Sequence, residues 1–193
     1  MRNTLIQTFN IETIKVLREA RHFIYLSIGI FLAGVFIGMA SPVGFERLLD
    51  PLMKLAEHLR GRSALIIILT IFIQNSASAF LAVWLGTIMG IVPFFGALIN
   101  GILLGVVIVF AVQAEPMAIL RLIPHGIFEI PAIFMSWGLG LWRGAWLFRR
   151  DKNQTYRERA RKAYHVFFTF IIPLLIIAAV IEGLSIAFAV SNS

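Results

Sequence analysis

Residues 121–143 read RLIPHGIFEIPAIFMSWGLGLWR, and this stretch decides the fold class. It is apolar enough for a bilayer, yet its first half carries Pro124, His125, Glu129 and Pro131. At a helical rise of about 1.5 Å per residue, the run from Arg121 to Arg143 covers about 33 Å. Hydrocarbon thickness is about 30 Å, so the two arginines read as the two water boundaries. Glu129 then lies about 12 Å below Arg121, near mid-bilayer. A carboxylate there costs about 2.5–3.5 kcal/mol even on lenient insertion scales, which makes it a functional candidate.

The rest of the chain has the same character. Of its 193 residues, 59% are hydrophobic and 14% charged, with a mean hydropathy of +0.88. Ordinary globular chains are about 45–50% apolar and about 25% charged. The composition therefore indicates an integral membrane protein, and the length permits one bundle with no soluble domain. The apolar runs lack the two-residue alternation of a membrane barrel, so they read as helices. Cysteine is absent, which removes disulfides, thiol catalysis and thiolate metal sites. The net charge of +7 comes from cations crowded beside apolar runs, as membrane topology requires, and does not indicate nucleic acid.

Taken in order, residues 1–22 are polar with an apolar stripe of Leu5, Ile6, Phe9, Val16 and Leu17, interrupted by Thr13. They read as an interfacial helix carrying Arg2, Lys15, Arg18 and Arg21. The first span is 23–40; it contains the small pair Gly34 and Gly38, and is read as a retained anchor although Gly38-Met39-Ala40 resembles a cleavage site. Residues 41–63 place Phe45, Leu48, Leu49, Leu52, Ala56 and Leu59 on one face, an amphipathic surface helix interrupted near Pro51. The second span, 64–85, is polar in its middle, and Asn75, Ser78, Ala82 and Gly86 share a face expected to meet protein. The third, 92–112, contains Asn100, Gly101 and Gly105.

The fourth span, 119–142, presents His125, Glu129, Ala132, Ser136 and Gly140 along one line, with Arg121 above them. Pro124 and Pro131 each remove a helical hydrogen bond, so a kinked or locally unwound helix is expected. Trp142 and Trp146 read as interface anchors. Eight cations follow in 143–163, a basic loop, and the last span, 167–190, holds Pro173 and Glu182. With the N terminus in the cytoplasm, inside segments collect twelve of the lysines and arginines, which fixes the expected orientation and leaves the C terminus outside.

Several chemistries fit poorly. Asp50 and Asp151, the only aspartates, both lie in polar segments and offer no intramembrane catalytic pair. His125 and Glu129 have a spacing able to chelate a metal, but HGIFE lacks the residues of a zinc-protease motif. Ser76, Ser78 and Ser136 stand in no GxSxG context. Asn75, Asn100, Arg121, His125, Glu129 and Glu182 either pair helix to helix or line one water-filled pathway.

PHGIFEIPA, residues 124–132, resembles the hallmark segment of the stage II sporulation protein M family. IFIQN at 71–75, the glycine-rich turn at 86–93, and Asn100-Gly101 with Gly105 follow the family's order. Pro124, His125, Gly126, Glu129 and Pro131 match its motif residue by residue. The resemblance implies a multi-pass, non-enzymatic membrane protein; the family's named member helps to assemble peptidoglycan-remodelling enzymes in spore formers, while similar proteins occur in organisms that never sporulate.

The sequence thus leads to an all-α bundle of about five transmembrane helices, with a kinked polar fourth helix and an amphipathic surface helix after the first. Homodimerisation through small-residue faces and contact with other membrane or cell-envelope proteins are expected, with no cofactor. The expected function is scaffolding or organising a membrane complex. The alternatives are a channel or transporter using Asn75, Asn100, His125 and Glu129 and, last, an intramembrane hydrolase.

Overall fold

The computed structural model describes the backbone of residues 2–114, 118–148 and 154–191, and the side chains of 11–114, 126–148 and 154–188. The chain runs through α1 (Arg2–Ala40), a 3-10 helix (Pro42–Leu49), α2 (Asp50–Leu59), α3 (Ala64–Trp84), α4 (Ile91–Ala114), α5 (Ala118–Gly144), α6 (Tyr156–Val166), a π-helical turn (Phe167–Ile171) and α7 (Ile172–Ser191). No strand occurs among the described residues. Among the described residues, four helical stretches are long and apolar enough to cross a membrane: Ile11–Ala40, Ala64–Thr87, Ile91–Ala114 and Tyr156–Phe188.

Local sequence explains most boundaries. Residues 2–22 and the first span form one unbroken helix, because the chain has neither glycine nor proline before Gly29. At 39 residues α1 is about 58 Å long, more than a hydrocarbon core can hold, so part of it lies outside. Pro51 sits in the first turn of α2, where its missing N–H costs nothing, and the chain before it winds as a 3-10 helix. Between α3 and α4 the chain reverses through Met89 at φ 49° and Gly90 at φ +74°. A side chain at Gly90 would be strained there. α5 passes Pro124 and Pro131 as one helix, so the local unwinding anticipated there does not occur.

Packing rests on close backbone approach. α1 lies along α4 with Gly34 and Gly38 set against Leu98 and Ile102, and Gly101 and Gly105 set against Phe31 and Val35. The pairs rise together in number, so the two helices run parallel. A Cβ on any of the four glycines would overlap a carbonyl of the other helix. Lipid tails are as apolar as leucine, so only such close fit, with its dispersion and weak polar contacts, favours helix association over solvation by lipid. The glycine faces expected to form a homodimer are thus occupied within one chain. A second seam joins the end of α3 to the end of α5, where Gly140 and Gly144 meet Ala82, Gly86 and Gly90.

α5 is central and packs against α1, α3, α4 and α7. The main apolar cluster gathers Val16, Val83, Leu139, Phe167, Ile171 and Leu175 at the end where α6 meets α1. At the opposite end Leu55 and Leu59 anchor α2 on Ile67, Ile71 and Ala179. Val43 and Met53 remain exposed on that side.

Candidate functional site

Two polar regions deserve separate description, the mid-bundle line on α5 and the cluster where α3, α5, α6 and α1 end together. On α5, Ala132, Ser136 and Gly140 are buried, and Ser136 Oγ donates to its own helix at the Ala132 carbonyl, 2.8 Å away. Gly126 is buried and Pro131 exposed. Glu129 is half-buried on α5, and Glu182 is half-buried on α7, which packs against it. The side chains of Arg121, Pro124 and His125, and with them their expected pairing with Glu129, lie outside the described residues.

The two amides expected beside Glu129 differ in their placement. The parallel register of Gly140 against Ala82 sets Glu129 level with Ile71, one turn from Asn75. Asn75 is half-buried on α3, but Ser78 on the same expected face is exposed. Asn100 is exposed on α4 and donates from Nδ2 to the Gly96 carbonyl of its own helix, 2.8 Å away. A side chain satisfied locally and turned outward does not line a path through this chain. No group of three histidine, aspartate or glutamate side chains able to hold a metal occurs among the described residues.

The other region was read in sequence as loop and boundary, yet it is the more elaborately built. Arg143, expected at a water boundary, is 2% exposed. Its Nη1 donates to the Val83 carbonyl in the last turn of α3 and to the Tyr164 hydroxyl at 3.4 Å, and its Nη2 donates to the Tyr156 hydroxyl at 3.0 Å. The guanidinium also faces both tyrosine rings, 5.5 and 5.0 Å from their centroids. Arg159, 6% exposed, does the same for α5: Nη1 donates to the Trp142 carbonyl at 3.0 Å while the guanidinium stands 5.0 Å from the Trp142 ring centre. Last-turn carbonyls lack a full set of intrahelical partners and form the negative end of the helix dipole. In each case an arginine from another helix, Arg143 of α5 for α3 and Arg159 of α6 for α5, supplies both the donor and the charge.

Trp142 is therefore core, 3% exposed beneath Arg159, and not an interface anchor. Trp146 Nε1 donates to the Gln154 carbonyl at 2.9 Å. α6 starts at a capping box, with Thr155 Oγ1 accepting from the Glu158 N–H and the Glu158 carboxylate accepting from the Thr155 N–H. Glu19 of α1 accepts from Lys162 at 2.8 Å and from Gln154 at 3.1 Å, which fastens α1 to α6. Thr13 and Thr169 hydroxyls lie 3.3 Å apart farther along the same contact.

A groove of about 700 Å³ opens between α1 and α6, lined by Glu19, His22, Phe23, Leu26, Trp142, Gln154 and Arg159. The sequence held one clue to this region. Arg159, Ala163 and Val166 are the buried residues of α6, so an arginine stands on the helix's apolar line.

A protein-family model described as SpoIIM: Stage II sporulation protein M matches residues 27–185. No curated protein and no solved structure matches the chain. The match covers most of the chain, which belongs to the stage II sporulation protein M family.

Proposed function

We propose that this member of the stage II sporulation protein M family is a non-enzymatic scaffold that organises a complex in the cytoplasmic membrane. In this reading α5 is a fifth transmembrane helix, the end carrying Arg143 and Arg159 faces the cytoplasm with the N terminus, and the C terminus lies outside. The observation that carries it is the dispersal of the polar mid-span residues: Asn100 faces outward, Asn75 is half-buried on another helix, and Ser136 bonds its own backbone. By contrast, the arginines and glycines are engaged in holding helices in fixed relation. A rigid bundle with exposed Val43 and Met53 at one end and a cationic face at the other suits the display of surfaces to membrane partners.

One observation favours transport as the second reading: two carboxyls, Glu129 of α5 and Glu182 of α7, stand half-buried on helices that pack together. Reconstitution into liposomes separates the two. Scaffolding expects no ion or proton flux from the wild type, and expects Glu129→Gln to keep both fold and captured partners. Partner capture should instead be lost when Val43 and Met53 are both changed to serine. Flux through the wild type that disappears in a folded Glu129→Gln variant overturns the scaffold reading.

A further inference from the structure

We infer that the groove between α1 and α6 binds the head group of an anionic glycerophospholipid. The inference goes beyond the scaffold reading and needs only that the chain lie in a bilayer. The groove straddles a chemical boundary within two turns of one helix. Glu19 and His22 come from the charged first half of α1, and Phe23 and Leu26 from the start of its apolar run. Leu26 is 49% exposed, which leaves an apolar track leading away from the polar part. A soluble anion needs only the polar half of such a site and an apolar solute only the other half. An amphiphile with an acidic head matches both.

Charge complementarity fixes the sign of the head group. Arg159 lines the groove with its guanidinium held in place over Trp142. An adjoining hollow of about 540 Å³ is lined by Lys15, Arg18, Glu19, Arg21 and His22, so the rim carries three permanent cations. The carboxylate present, Glu19, is neutralised by Lys162 at 2.8 Å and does not repel a phosphate as a free acid would. Basic hollows between membrane helices at head-group depth recognise acidic lipids through phosphate contacts and surface charge.

The test uses the full chain in a non-ionic detergent, titrated with dioleoylphosphatidylglycerol or dioleoylphosphatidylcholine and read by native mass spectrometry. Expected is at least tenfold tighter retention of dioleoylphosphatidylglycerol than of dioleoylphosphatidylcholine. Arg21 and His22 are both exposed, so Arg21→Gln with His22→Gln leaves the fold intact. This pair should weaken phosphatidylglycerol retention by roughly fivefold or more, the usual effect of one basic residue at an anionic surface. Arg60→Gln with Arg62→Gln, which removes two exposed cations between α2 and α3, should change nothing. Equal retention of the two lipids overturns the inference, as does equal weakening by the two variant pairs. Displacement of the lipid by millimolar inorganic phosphate also overturns it, making the groove a site for free anions.

Discussion

The α1–α4 seam and the arginine-clamped end hold helices together by opposite means. At the seam nothing intervenes: glycine Cα atoms lie against the backbone of the other helix, and no side chain is long enough to adjust. At the clamped end the helices are bridged by long arginine side chains, Arg143 reaching from α5 to α3 and α6 and Arg159 from α6 to α5, each meeting a carbonyl and an aromatic ring. The difference follows the solvent. Inside lipid, apolar burial gives no driving force, so contact must be close. Near water and head groups, a guanidinium can be brought in hydrogen-bonded to helix ends. One arrangement is broken by adding atoms, the other by removing donors.

That contrast orders the expected effects of substitution, each measured as the unfolding free energy in mixed micelles with increasing dodecyl sulfate. Gly101→Leu should be the most damaging, about 3 kcal/mol, because its Cβ would meet the Phe31 carbonyl and the Gly34 Cα, backbone atoms that no rotamer change can move. Arg143→Met keeps much of the volume but leaves the Val83 carbonyl and two tyrosine hydroxyls without their donor, at a cost of about 2 kcal/mol. If Arg143→Met proved harmless, the clamp would be ornamental and the seams alone would hold α3 to α5. Thr155→Ala removes one side of the capping box and should cost about 1 kcal/mol, confined to the start of α6 and visible as faster amide exchange there. Glu129→Gln belongs to neither device. It replaces one half-buried carboxyl by an isosteric amide and should change stability by less than about 0.5 kcal/mol.

The glycines and the arginines also differ in how far sequence discloses them. Gly34, Gly38, Gly101 and Gly105 announce a close contact through their four-residue spacing, and the apolar runs around them announce helices. Spacing does not name the partner, so two half-interfaces that fit each other within one chain looked equally suited to a second copy. Arg143 was misplaced for a different reason. Charge next to an apolar run ordinarily marks the water boundary, and the groups that permit its burial, Val83 on α3 and Tyr156 and Tyr164 on α6, are far apart in the chain. Asn100 fails in the same way: its depth could be read from the sequence, but its direction depends on which face of α4 the glycines turn towards α1.

The parallel seam also constrains how the protein is made. α1 enters the membrane ahead of α4, whose glycines fit its Gly34–Gly38 face, and α4 emerges only after the amphipathic α2 and the whole of α3. During synthesis the glycine face of α1 therefore waits without its mate, next to an insertion machinery crowded with other young helices. The order of appearance makes the two halves separable in principle: a fragment ending after α2 and a fragment beginning at α3 carry matching edges. Co-expressed, they should find one another in the bilayer and reconstitute the bundle, whereas either fragment alone should be cleared by membrane proteases.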